Sequence, residues 1–239
     1  MSMHPVWRWL ALLLCGALLL ELFFVGRIAA MAVLDPASTT VQRSEAWQLL
    51  GEGKLRQWRH QWVPYAQISD HLKRAVVAAE DDGFVDHGGV EWDAIEKAWE
   101  RNQRAEARAQ AAGRAPARIY GGSTITQQLA KNLLLSGERQ FARKGQELVL
   151  AKLLELFLTK QRILEIYLNH VEWGPGVFGA EAAAGYYFGK PAARLSPAEA
   201  ARLAVMLPQP KRFALQPESR YLAQRARLIM RRMGQTTLP

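Results

Sequence analysis

Gly121-Gly122-Ser123-Thr124-Ile125-Thr126-Gln127-Gln128-Leu129-Ala130-Lys131 joins a glycine pair to an amphipathic run. Thr124 followed three residues later by Gln127 has the form of a capping box, which predicts a helix from there to about Leu135. Thr124, Gln127, Gln128 and Lys131 fall at i, i+3, i+4 and i+7, a polar stripe ending in a cation. Ile125, Leu129 and Leu133 make the opposite, apolar face. Similar spacing recurs along nearly the whole chain. Ser196-Pro197-Ala198-Glu199 unites an N-cap, a first-turn proline and a capping-box glutamate, and 139–158 reads as one long helix burying Leu148, Leu154 and Phe157. No alternation of apolar and polar residues is long enough for a buried strand, so the fold class is mainly α.

The 239 residues suffice for one compact domain plus an appendage. Lys and Arg number 31 against 22 Asp and Glu, a net charge of +9, and the 49% apolar content excludes wholesale disorder. The single cysteine, Cys15, excludes an internal disulfide and a cysteine-based zinc site. Residues 9–26 carry one charge, Glu21, and as a helix would span ~27 Å, close to a bilayer's hydrocarbon core. This predicts an N-terminal membrane anchor over 1–34. A cleaved signal peptide competes, since Arg8 precedes the run and Ala30-Met31-Ala32 has a small-x-small form, but the run exceeds the ~7–15 residues of a signal core. Residues 35–64 read as a connector and lead-in, punctuated by Pro36, Pro64 and Ser38-Thr39-Thr40, and 65–235 as the helical domain. The Ala/Arg-rich stretch 101–118 reads as a frayed helix end or loop of poor order. Basic residues are dispersed and the anchor puts them outside the cytoplasm, which disfavours a nucleic-acid partner.

Glu80-Asp81-Asp82-Gly83-Phe84 places three acids where the helix 72–79 runs out. Carboxylates there face the negative end of the macrodipole at ~0.3–1 kcal/mol each, and crowding raises the pKa of the least solvated one. Glu80, after Val76 and Val77, is best placed for partial burial and general-base work, although a solvated acidic turn is the plainer reading. His87 reads more readily as a turn histidine than as a catalyst. The glycine pair exposes backbone N–H groups at a helix N-terminus, which suits phosphate, and the amide stripe suits sugar hydroxyls; an ordinary amphipathic helix is the alternative. The GxxxxGK[ST] spacing is missing, so ATP is not expected. Arg143-Lys144-Gly145-Gln146-Glu147 sets two cations on the face of one glutamate, fit to hold a diphosphate or to make a surface ion pair worth at most ~0.5 kcal/mol. The helical 160–169 and glycine-rich 172–179 read as core packing with a structured loop. The run 220–232, with five arginines and no acid, suits lipid headgroups or a solvated face.

Taken in order, these segments resemble the peptidoglycan glycosyltransferase family over roughly 65–235. EDxxFxxHxG is found at 80–89, GGSTITQQ at 121–128, RKxxE at 143–147 and KxxILExYLN at 160–169, and RxxxVLxxM at 225–233 has Ile229-Met230 for Val-Leu. Two departures stand out: Glu91 sits where Asp is usual, and Asp82-Gly83 where longer side chains are common. The SxxK and KTG runs of a transpeptidase are missing, so the likeness is to the short, monofunctional members.

The resemblance implies a lysozyme-like, all-helical domain whose membrane-proximal lobe touches the bilayer. It implies polymerisation of lipid II into β-1,4-linked glycan with inversion and release of undecaprenyl diphosphate. Glu80 would be the general base and Glu147 a second catalytic carboxylate, orienting the cations or a divalent ion. Ser123, Thr124, Gln127, Gln128, Lys131, Arg143, Lys144 and His87 would bind substrate. No metal ligand is assigned and no cofactor is required, with Mg2+ or Mn2+ an admissible addition. The implied partners are lipid II, the growing lipid-linked strand, the membrane and other cell-wall synthesis proteins. The implied location is the inner membrane, single-pass, with the domain on the periplasmic side. Two alternatives stay open: a muramidase or lytic transglycosylase using a protonated Glu80, and a non-catalytic membrane-tethered scaffold.

Overall fold

Helices dominate the computed structural model, which describes residues 4–113, 122–135 and 141–239. Helix α1 (Pro5–Ala30) is exposed along most of its apolar length and meets the domain only at its end, where Phe24, Ile28 and Met31 are buried. There it packs on α6 (Phe141–Phe157). Arg162 ties the exit, its Nε donating to Met31 O at 2.8 Å and its guanidinium to Leu34 O at 3.0 Å and Asp35 at 2.7 Å.

The stretch read as a connector carries α2 (Thr40–Gly51), opened by a Thr39/Gln42 capping box. Its buried residues include Gln42 and Glu45, so no apolar stripe announces it. After the short strand β1 (Arg59–His60), Ser69 caps α3 (Asp70–Glu80), whose Leu72, Ala75, Val76 and Val77 are fully buried. Helix α4 (Trp92–Ala111) stays regular well past Arg101; the rest of the stretch expected to be poorly ordered, 114–118, lies outside the described residues. The predicted capping box opens α5 (Ile125–Leu134), which packs on α6 and on α7 (Lys160–His170).

On α6 the buried line runs Leu150, Leu154 and, just past the helix end, Leu158, at i+4 spacing. Phe157, expected inside, is one residue off that line and is 38% exposed, while Leu148 is half-buried. Helix α7 is the hub: Ile163, Leu164, Ile166, Tyr167 and Leu168 are all buried, each apolar side chain contributing ~1.5–3 kcal/mol. Asn169 pins the incoming chain, exchanging hydrogen bonds with Val63 N and O at 2.9 Å.

The glycine-rich 172–179 is a hairpin of β2 (Glu172–Gly174) and β3 (Val177–Phe178), with β1 parallel to β3 in the order β1-β3-β2. Strands of two or three residues show no periodicity, which is why sequence missed them. Gly179, at φ +88°, is required: a Cβ there would lie 2.6 Å from Asn169 O. Helix α8 (Ala180–Phe188) follows. Then α9 (Pro197–Met206), with the predicted Ser196/Glu199 box formed, packs between α3 and α11 (Arg220–Arg232), with the short α10 (Pro210–Ala214) lying beside β2.

Candidate active site

Glu80 is the last residue of α3, half-buried above Val76 and Val77. Its Oε2 accepts a hydrogen bond from Gln128 Nε2 at 2.8 Å, and Tyr167 O–H donates to Gln128 Oε1 at 3.0 Å. Burial, followed by Glu80 and Asp81, raises the Tyr167 phenol pKa well above its ordinary value, so the phenol stays a donor. That settles the Gln128 amide: its oxygen faces Tyr167 and its NH2 faces Glu80. Desolvation also raises the Glu80 carboxyl; the Gln128 bond opposes, Asp81 adds, and Lys131 opposes. The result is a carboxylate of raised basicity, held from three helices, whose Oε1 has no hydrogen bond among the described residues.

Asp81 beside it is buried and fully engaged, its Oδ1 2.8 Å from His87 Nε2 and its Oδ2 accepting Ile125 N–H at 2.9 Å. Gly89 N–H donates to His87 Nδ1 at 3.1 Å, so the ring's hydrogen sits on Nε2 and is given to Asp81. His87 thus braces the turn after α3. Asp81, His87 and Glu91 also form the one metal-capable group among the described residues. A ring nitrogen already donating to Asp81 does not fit a cation there. Glu91, at the N-cap of α4, makes no side-chain cap bond, as its extra methylene would lead one to expect. Replacing Asp81 by Ala strands the buried Ile125 N–H and is expected to cost ~1–3 kcal/mol, read by urea denaturation of the domain.

The polar stripe of α5 divides. Thr124 and Gln127 are buried in the cap, where Thr124 Oγ1 donates to Gly89 O at 2.7 Å and Gln127 Oε1 accepts Thr124 N–H at 2.9 Å. They hold α5 against the Glu80 turn and do not reach a cleft. Lys131 lines a cleft, and Gln128 turns to Glu80. Ser123 is exposed, with Lys144 Nζ 3.5 Å from its Oγ, and Gly121 lies outside the described residues. Lys144 pairs closely with the buried Glu147. Lys131 reaches solvent, yet crowding by protein lowers its pKa, with Glu147 opposing, Arg143 and Lys144 adding, and Glu80 opposing. The three cations and both glutamates therefore share one electrostatic neighbourhood.

Two clefts flank it. One, of about 510 Å3, is lined by Glu80 with Gln209, Arg212, Tyr221 and Arg225. The other, of about 400 Å3, is lined by Lys131 and Arg143 with Glu45, Glu172 and Lys211. Sequence reasoning missed Arg212 and Tyr167 as parts of the site, and gave the arginines of α11 to headgroups or solvent. Arg225 instead lines the Glu80 cleft, and Arg232 bonds Asp82 at 2.9 Å. The motif placing Tyr167 two residues before Asn169 was the available signal. Chemically, a basic carboxylate next to a nest of cations suits deprotonation of an alcohol and departure of an anion.

The transglycosylase family description matches residues 48–234. The chain is 53% identical over 236 residues to the biosynthetic peptidoglycan transglycosylase of Burkholderia thailandensis, covering 97% of this chain and 88% of the relative. Identity to the protein of that name from Burkholderia pseudomallei is 52% over the same shares. With that from Herminiimonas arsenicoxydans it is 50% over 93% of this chain and 92% of the relative. The helical core, the braced glutamate and this near full-length similarity agree that the chain belongs to the transglycosylase family.

Proposed function

We propose that this chain is a peptidoglycan glycosyltransferase that polymerises lipid II into β-1,4-linked glycan strands. The observation that carries the reading is the Tyr167–Gln128–Glu80 relay, which presents a carboxylate of raised pKa within reach of the Lys131 charge, itself neighboured by Arg143 and Lys144. The acceptor's 4-hydroxyl lies in the Glu80 cleft and gives its proton to that carboxylate as its oxygen attacks the anomeric carbon of the lipid-linked chain. The C–O bond to undecaprenyl diphosphate breaks with inversion, and Lys131, Arg143 and Lys144 take up the charge that develops on the leaving group. Glu147, buried against Lys144, keeps that ammonium in place. Mg2+ or Mn2+ would add to the same neutralisation, and no step above depends on one. A cleavage enzyme of lysozyme type would have no use for the cations, since its leaving group is a neutral sugar.

The family's membrane-bound substrates suit a membrane anchor at the apolar helix α1. Cleavage after Ala32 would strip Phe24, Ile28 and Met31 from the core, so α1 is retained as a single-pass anchor of the inner membrane with the domain on the periplasmic side. Exposed Trp92 and Trp99 on α4, and Val149, Leu156 and Phe157 on α6, where α1 docks, would rest on the bilayer surface. The deciding experiment gives the purified full chain two substrates. Lipid II is converted to long strands, and cell-wall sacculi release no soluble fragments; release from sacculi without strand synthesis would reverse the assignment.

A further inference from the structure

The cleft of about 400 Å3 has a wall that the reaction above does not use. Glu45 from α2, Glu172 from β2 and Lys211 from α10 meet there. Lys211 Nζ pairs closely with Glu45 but stands 3.8 Å from Glu172 Oε1, too far for a hydrogen bond. One ammonium therefore serves two carboxyls whose side chains are only 7% and 15% exposed. Glu172 Oε1 is buried with no hydrogen-bond partner, and so is Arg143 Nε, which lines the same cleft. Buried polar atoms are paired as a rule, and here two orphans of complementary kind belong to residues that line one cleft.

We propose that Glu172 is a substrate-binding residue that hydrogen-bonds a sugar hydroxyl or amide of the lipid-linked chain, next to the diphosphate on Lys131 and Arg143. This rests on the glycosyltransferase reading and deepens it. The mixed lining argues for such an occupant. A bare anion would be repelled at the Glu45–Glu172 end and a bare cation at the Arg143 end, whereas a glycosyl diphosphate meets both. Thr40, Ser44 and Gln48 add uncharged donors and acceptors, and the volume is within the ~300–1,000 Å3 of small-molecule sites. Burial pushes the Glu172 carboxyl up to about 7, Lys211 opposing and Glu45 adding, with Tyr187 the other titratable group that feels it. In its protonated form it both donates and accepts.

The test titrates the full chain in detergent with two probes: the lipid-linked tetrasaccharide diphosphate made by one coupling, and undecaprenyl diphosphate, which has no sugar. Glu172→Ala is expected to weaken the tetrasaccharide lipid about tenfold, the loss of roughly one hydrogen bond. It should leave undecaprenyl diphosphate unchanged, and Glu172→Gln should restore most of the loss. An equal loss on both probes, or none on the first, overturns the proposal. Failure of the underlying reading has a different signature: wild-type protein that binds neither probe and forms no strands from lipid II.

Discussion

Glu80→Gln slows strand synthesis from lipid II by at least about a hundredfold while leaving the fold intact, the magnitude expected when a positioned general base is lost. The amide fills the same volume, and its oxygen still accepts the hydrogen bond from Gln128 Nε2. What it cannot do is take a proton. Stability moves the opposite way. The folded carboxyl, its pKa raised by desolvation, holds its proton more tightly than the unfolded chain does. Its contribution to stability is therefore full below about 4.5 and is lost as pH climbs through the folded value. Glutamine does not titrate, so the variant melts higher than wild type at pH 7, and the difference shrinks towards pH 4. An inactive protein that is more stable separates chemistry from misfolding. Near-normal strand synthesis by this variant would remove Glu80 from its role.

Lys131→Met is the second large effect. The substitution keeps the unbranched stem and deletes the charge that both clefts feel, so turnover falls about a hundredfold, the scale found when one preorganised charge-stabilising group is removed. A second readout follows from the coupling between Lys131 and Glu80. Lys131 lowers the Glu80 pKa against the upward push of desolvation. Without it, the acid limb of the pH–rate profile moves to higher pH, because a proton must leave Glu80 before it can act as a base. A lost rate with an unmoved acid limb would mean that Lys131 acts on the leaving group alone.

Local codes account for what the sequence disclosed. The Thr124/Gln127 and Ser196/Glu199 boxes are complete within four residues, and the apolar spacing of α3, α5 and α7 writes their buried faces directly. The acidic turn and the basic face of α6 were visible as residue types at fixed spacing. Pairings across the fold were not. Nothing local says that Thr124 and Gln127 turn into the cap while Gln128 turns to Glu80, because a stripe four residues long covers more than one neighbour once packed. Residues 40–51 looked like a connector because two of the three residues that helix buries, Gln42 and Glu45, are polar, and Leu49 alone is apolar. Glu172 met the cations that line the same cleft only through the hairpin, whose strands were too short to leave a pattern.

Arg162 gives the junction between α1 and the domain a mechanical meaning. Three bonds from one guanidinium clamp residues 31–35 onto α7, so the chain has no slack between α1 and the domain. A freely jointed tether would let the catalytic body tumble and sample every tilt. A riveted one keeps the Glu80 groove at constant height and azimuth relative to α1; with α1 seated in a bilayer, as proposed above, encounter with prenyl-tailed sugars would become a search in two dimensions.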